Sequence, residues 1–242
     1  MNEMLYYDLK EVSGLSPSLS TQIAREIGRR VVAGSYQVGE LLEEEGTLGA
    51  RYQVSRSVVR DAVKILVGKG LLEVRRGIGT RVRERLRWGL LDDDVLAWHQ
   101  SAPLQADFLR QLMDLRLVIE PKAARWAAER GTDEGHALIA DAQARMEQEK
   151  GSIEDFVIAD ALFHRSILWA ANNELLLSME GVIYSALLNS IRLTNSDPRE
   201  NEKSIPFHRA VTDEIKKRNG VKAERQMEKL LADTNRRLAA FM

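Results

Sequence analysis

Apolar positions recur with a helical period along most of this chain. Leu19, Ile23, Ile27 and Val31 share one face of a helix running to about Ala33, with Ser20 or a neighbouring serine as its cap and Gly34 as its stop. Y-Q-V-G-E-L-L then reads as a turn into a short extended piece. Glu44 to Arg51 reads as a short helix with Leu48 inward and Gly49 tolerated, and Tyr52–Gln53 as the turn after it. Ser55 caps the next helix, whose apolar stripe is Val58, Ala62, Ile65 and Leu66, and Gly68 and Gly70 end it. Two short β-type runs, LLEVRR and TRVRER, face each other across G-I-G. Helix, helix, turn, helix and a two-stranded ribbon make up a winged helix-turn-helix.

Beyond Trp88 no strand pattern remains. Asp92 or Asp93 caps a short helix holding Val95, Leu96 and Trp98. Leu109 to Glu129 is a long amphipathic helix with Leu112, Leu115, Ile119, Ala123 and Trp126 on one face and Pro121 as a kink. Further helices are predicted from Thr132 to about Lys150, Ser152 to Ala171, Leu175 to about Thr194, Ser204 to Lys217 and Val221 to about Phe241. Asn172–Asn173, Ser196-Asp-Pro and Asn219–Gly220 are the breaks. The predicted fold class is mainly α: an N-terminal winged helix-turn-helix with a small β-wing, then an all-α antiparallel helical bundle. The predicted boundaries are 1–18 for a mobile N-terminal arm, 19–84 for the winged helix-turn-helix, 85–104 for a linker and short helix, and 105–242 for the helical domain.

Charge sharpens this division. The 242 residues carry a net charge of −1, yet residues 51–87 hold eleven Lys or Arg against three Asp or Glu, a net of +8. One basic patch on a near-neutral chain points to a local polyanion partner. The absence of cysteine excludes disulfides and thiolate ligands and fits a reducing cytoplasm. No basic-then-apolar start or 20-residue apolar run predicts a signal peptide or a membrane span.

Two constellations carry chemistry. Arg56, Arg60 and Lys64 share a helical face, and Arg56 and Arg60 lie near the helix end that enters the major groove in such motifs. Arginine forks onto guanine O6 and N7 or onto phosphate, and Ser55 and Ser57 can donate to phosphate. Arg75, Arg76 and Arg81 flank the Gly77 turn, where the backbone approaches phosphate closely. A solvated basic face is the alternative for any three such residues alone; joined to the turn, stripe and ribbon, they point to double-stranded DNA. In the second constellation Asp160 and His164 are four apart on one helix face and His208 opens another helix, a donor set suited to a divalent metal such as zinc. Capping, a core histidine or a surface pair are the alternatives. Arg116 sits on an otherwise apolar helix, either to bind a carboxylate or to pair with Glu120 four residues on. His99 and His136 lie on segments that read as exposed and receive no role.

V-S-R-S-V-V-R-D-A-V-K-I-L-x-x-K-G-L-L-E-V-R-R-G-x-G-T-R-V, preceded by V-G-E-L-L-x-x-E, resembles the GntR family of bacterial transcription regulators over residues 20–82. The resemblance implies DNA contacts at Arg56, Arg60, Arg76 and Gly77. It departs where the family usually has Pro-Ser-Glu-Arg: here stand Glu43-Glu44-Glu45-Gly46, so an arginine commonly used on DNA is replaced by Gly46. R-L-V-I-E at Arg116–Glu120, D-A-L-F-H at Asp160–His164 and H-R-A-V at His208 resemble the FadR (FCD) branch, whose helical domain binds an effector and forms the dimer. That branch has a last histidine where this chain has Leu230, which leaves Asp160, His164 and His208, with Asp233 one turn away as a substitute. W-G-L-L-D-D-D-V-L-A-W and D-L-R-L-V-I-E-P-K-A-A-R-W resemble the galactonate-operon repressor group and related sugar-acid regulators.

The resemblance implies a cytoplasmic, homodimeric repressor of a sugar-acid operon, bound to an inverted-repeat operator and released by a small carboxylate effector, galactonate-like or another aldonate, hexuronate or hydroxy acid. A metalloenzyme using Asp160, His164 and His208, and a DNA-binding protein with no small ligand, are the competing readings.

Overall fold

A computed structural model of the chain describes residues 3–10, 17–103, 105–148, 153–194 and 203–239, and the side chains at 153–154 and 191–194 fall outside that description. Ser152 and the Ser196-Asp-Pro break lie outside the described residues. The chain divides into two compact units, residues 1–104 and 105–242.

The first unit comprises α1 (Glu3–Leu9), α2 (Leu19–Val32), α3 (Glu45–Tyr52), α4 (Arg56–Gly68), β1 (Leu72–Arg75), β2 (Gly79–Val82), a 3-10 turn (Arg85–Arg87) and α5 (Asp93–Ser101). Ser18 caps α2 by accepting the Thr21 N–H at 3.2 Å. Ile23, Ile27 and Val31 are buried as the spacing predicts, whereas Leu19, in the first turn, is exposed. The turn between α3 and α4 depends on backbone geometry. Gln53 adopts a left-handed conformation with φ 56°, and a Cβ on Gly49 would stand 2.9 Å from the Val54 carbonyl oxygen. Gly49 is therefore required for the close approach, not merely tolerated there. Ser55 then caps α4 by accepting the Val58 N–H at 3.4 Å. The buried stripe of α4 is Val59, Ala62, Val63 and Leu66; Val58 and Ile65 are only partly covered, so the inward face is rotated from the predicted one.

The wing is antiparallel, with Leu72 opposite Val82 and Arg75 opposite Gly79. Its inner end is anchored by buried Leu72 and Val82, and its tip turns through Gly77 at φ 76°. The Leu42 N–H donates to the Thr80 carbonyl at 2.8 Å and the Val82 N–H to the Glu40 carbonyl at 2.9 Å, which ties the extended piece after α2 to the wing.

Two segments differ from expectation. Within the stretch read as a mobile arm, Glu3–Leu9 is helical and packs on α5. The Tyr6 and Tyr7 hydroxyls donate to Asp93 at 2.8 Å and Asp94 at 2.7 Å, and buried Glu3 accepts from Arg25, Arg29 and Ser101. In the stretch read as linker and short helix, Trp88, Val95, Trp98 and Ala102 belong to the core of the first unit. Trp98 lies where a Cβ on Gly28 would come within 2.3 Å of its ring, so α5 docks on α2 only because residue 28 lacks a side chain.

The second unit comprises α6 (Ala106–Arg130), α7 (Asp133–Gln148), α8 (Ile153–Ala170), α9 (Glu174–Leu177), α10 (Glu180–Thr194), α11 (Ile205–Lys216) and α12 (Gly220–Ala239). The long helix α6 lies against α8, α10, α11 and α12 and carries Pro121 within its span. The helix predicted from Leu175 is two pieces, α9 and α10, separated at Ser178–Met179. Among the described residues, no helix is long and apolar enough to cross a membrane.

His99, expected on an exposed segment, is buried in the first unit, with Nδ1 2.7 Å from the Val95 carbonyl oxygen and Nε2 3.1 Å from Arg85. Burial pushes its imidazole down to about 4, Arg85 adds to the lowering, and the Val95 carbonyl opposes it. In the unfolded chain a histidine titrates near ~6.5. Below that pH the unfolded chain takes up a proton that folded His99 refuses, so stability falls as pH drops towards 4, by up to roughly 3 kcal/mol. Melting temperatures recorded from pH 7.5 to 5.0 should fall more steeply for the parent protein than for His99→Gln. Equal slopes would contradict this account.

Candidate functional site

Two regions bear on function, one in each unit. In the first, the N-terminal turns of α3 and α4 bring Glu45, Gly46, Arg56 and Arg60 together. Arg60 donates from Nε to Glu45 Oε1 at 3.1 Å and from Nη2 to Oε2 at 2.7 Å. The bond from Arg60 lowers the Glu45 carboxyl below its ordinary value. Both side chains are exposed, at 59 and 37%, so the pair adds little to stability. Arg56 makes no ion pair among the described residues. Its guanidinium occupies the space beside Gly46, where a Cβ would stand 3.1 Å from Nη2. The position at which the family commonly carries an arginine is thus open to Arg56 from the neighbouring helix.

Ser55 spends its hydroxyl on the α4 cap and on Ser57 at 2.8 Å. On the wing, Glu73 pairs with both Arg75 and Arg81, while Arg76 and Gly77 stand exposed at the tip. Arg56 and Arg76 therefore carry charge not committed to a protein carboxylate, and Arg60 and Arg75 are shared with Glu45 and Glu73.

In the second unit, α8 projects Asp160 and His164 one turn apart, and α11 brings His208 beside them. Their donor atoms all lie within 4.8 Å of one another. His208 Nε2 is 2.9 Å from Asp160 Oδ1, and its Nδ1 is 2.8 Å from the Ser204 carbonyl oxygen. His164 Nε2 is 3.3 Å from the same Asp160 oxygen, and its Nδ1 faces Glu120. Each imidazole thus has Nδ1 facing an acceptor and Nε2 turned to one carboxylate, the arrangement that orients metal-ligating histidines. Phe163 stands edge-on to both rings, with centroids 5.4 and 5.0 Å away. One carboxylate oxygen and two imidazole nitrogens fit a divalent ion of the zinc type with positions left open.

The charges around the trio are coupled. Burial pushes Asp160 upward, but the two histidines outweigh it and hold its carboxyl well below the usual range. Burial likewise opposes ionised Glu120, and Arg116 and His164 hold it down at about 2. Burial works against the His164 imidazolium, yet facing Glu120 raises it above its ordinary value.

Arg116, on α6, is 1% exposed. Its Nε donates to Glu120 and its Nη2 lies 3.2 Å from His164 Nε2. Both roles open to it from sequence bear on this geometry: the Glu120 pair is formed, yet Nη1 is buried with no hydrogen-bond partner among the described residues. Arg116, Asp160, His164 and His208 line one cavity of about 50 Å3. That is room for one or two waters, far below the ~300 Å3 or more of ordinary small-molecule pockets.

The remaining walls include Leu187, Ser190, Thr234, Arg237 and Leu238, none of which the sequence reading singled out. Leu230 is buried one turn before Thr234, whose hydroxyl donates to the Leu230 carbonyl at 3.2 Å. Asp233, the expected substitute ligand, pairs with Arg236 and Arg237 at 3.1 and 3.2 Å and does not line the cavity. The helical step from Leu230 to Thr234, Arg237 and Leu238 was the available signal; Asp233 lies off that face. His136 approaches the Ala127 carbonyl at 2.9 Å, a helix-end contact apart from this cavity.

Residues 19–82 match the model of bacterial regulatory proteins of the gntR family, and residues 111–233 match the FCD domain. The galactonate operon transcriptional repressor of Escherichia coli is 30% identical over 219 residues, covering 90% of this chain and 95% of that protein. An uncharacterized HTH-type transcriptional regulator of the same species, YieP, is 30% identical over 216 residues, covering 88 and 93%. Among solved structures, Streptococcus agalactiae GntR superposes with a TM-score of 0.50 at 26% identity, over 90% of this chain and 99% of that one.

The Gly46–Arg56 contact makes two opposite expectations for Gly46→Ala. Replacing a helical glycine by alanine should stabilise the fold by about 0.5–1 kcal/mol. The new methyl should displace the Arg56 guanidinium and weaken binding to a duplex selected by the parent protein by about tenfold, within the ~1–3 kcal/mol of a bidentate contact. Thermal unfolding and fluorescence anisotropy read the two effects separately. Undiminished DNA affinity would remove Arg56 from the interface.

Proposed function

Because the chain belongs to the GntR family of bacterial regulatory proteins and carries an FCD domain, we propose that it represses a sugar-acid operon and is released from DNA when a small hydroxy-carboxylate enters its helical bundle. It is a transcription regulator, not an enzyme, as its relatives are. Arg56, Arg60, Arg76 and the Gly77 turn contact the operator, with Ser55, Ser57 and Arg75 on the flanking phosphates. Two protomers read an inverted repeat, since one recognition helix offers too little surface for specific binding.

The observation that carries the effector half is the unpartnered Arg116 Nη1, buried beside Asp160, His164 and His208. A buried guanidinium N–H without an acceptor is costly, and a carboxylate oxygen supplies the acceptor. Asp160, His164 and His208 would hold a divalent ion, which supplies Lewis-acid positions for the carboxylate and the adjacent hydroxyl of a hydroxy acid. The relative named for galactonate supports an aldonate as that acid.

A cavity of about 50 Å3 does not admit a six-carbon acid without movement of its walls. Those walls come from α6, α8, α10, α11 and α12, so ligand entry repacks these five helices. A ligand that favours the repacked state shifts the equilibrium by its differential affinity, typically ~1–3 kcal/mol.

Isothermal titration with galactonate and related aldonates, hexuronates and 2-hydroxy acids tests this. At least one acid should bind with zinc or another divalent ion present, and binding should drop tenfold or more after chelation. Absence of binding by every acid, with and without metal, alongside intact DNA binding, would favour a DNA-binding protein with no small ligand.

A further inference from the structure

We infer that Glu45 is a positioning residue for sequence readout, which aims Arg60 at a guanine. This rests on α4 being the helix that enters the DNA groove. Glu45 is the first residue of α3 and Arg60 lies in the second turn of α4, so the pair spans the two helices of the motif. The contact is side-on. Nε and Nη2 of Arg60 face the two Glu45 oxygens at 3.1 and 2.7 Å.

A guanidinium has five N–H bonds in one plane. The side-on pair occupies Nε–H and one hydrogen of Nη2. The second Nη2 hydrogen and both on Nη1 remain, and one from each nitrogen forms the end-on fork that matches guanine O6 and N7. Glu45 therefore fixes the plane and direction of Arg60 without consuming the edge that reads a base. An unsupported arginine on an exposed face swings freely to any nearby phosphate and carries no sequence information.

Folding does not account for the pair. Both partners are more than a third exposed, and exposed ion pairs add little to stability. Nor does a need for affinity: a carboxylate on this face repels the phosphate backbone and weakens binding to all DNA alike. A side chain that lowers general affinity while holding a reading arginine in one orientation serves discrimination.

The test uses the full chain. A preferred duplex is first selected with the parent protein from a random-sequence pool. Affinities for that duplex and for a scrambled one are then measured at one salt concentration for the parent, Glu45→Ala, Glu45→Gln and Arg60→Ala, each checked for native circular dichroism. Glu45→Ala should bind scrambled DNA more tightly, and its selected-to-scrambled ratio should fall about tenfold. The guanine position at which Glu45→Ala loses discrimination should be the one Arg60→Ala loses, and Glu45→Gln should fall between. If Glu45→Ala tightens binding to both duplexes equally, Glu45 is only a repelling charge and the inference fails. If Arg60→Ala leaves selected-duplex affinity unchanged, the placement of α4 fails instead.

Discussion

A guanidinium buried to 1% exposure is the interaction on which the helical unit turns. Arg116 cannot leave its site as an ion without a partner, and Glu120 answers only part of its donor set. Glu120 in turn faces His164, and His164 meets Asp160, which His208 shares. The chain of contacts runs from α6 through α8 to α11, so three helices are positioned by one charge network. Among the described residues it leaves Arg116 Nη1 without an acceptor. That residual donor lies beside three metal-competent side chains.

The first unit treats charge in the opposite way. On its basic face the cations Arg60 and Arg75 are at the surface, and Glu45 and Glu73 beside them are partly exposed partners worth little energy. What is held tightly there is the backbone: the Gly49 approach, the left-handed Gln53 and the Ser55 cap set the angle between α3 and α4. The guanidinium of Arg56 then lies across Gly46, and that of Arg60 against Glu45. A rigid frame that presents cations at its surface suits a polyanion.

The local rules of sequence captured much of this. Ser55, the apolar spacing of α4 and the glycines of the wing are local signals, and the helix-turn-helix and ribbon followed from them. Asp160 and His164 at a four-residue step share a face by helix geometry alone, and only the tertiary fold adds His208. What escaped the reading depends on distant partners. The seven-residue α1 helix is too short to form alone; packing on α5, Tyr6 and Tyr7 on Asp93 and Asp94, and Glu3 against Arg25 and Arg29 hold it. Trp88 ends an irregular, charged stretch with no clean period, and Trp98, on the predicted short helix, docks in a space that distant Gly28 leaves open, which no local signal marks. His99 looked exposed for the same reason. On the last helix, attention to Leu230 led to Asp233, one residue off the face that Thr234 and Arg237 share. Gly46, a loss when read from sequence, is the space that Arg56 fills.

The account stands or falls on whether Arg116 converts effector binding into DNA release. The direct measurement is operator affinity by fluorescence anisotropy, with and without a bound hydroxy acid and divalent metal, for the parent protein and for the double variant Arg116→Gln/Glu120→Gln. That variant removes both buried charges while keeping a hydrogen-bonded pair. The parent should lose affinity for its operator by roughly 5–150-fold on adding ligand, and the folded variant should bind operator equally well with or without it. A variant that folds and releases DNA as the parent does would contradict the central claim.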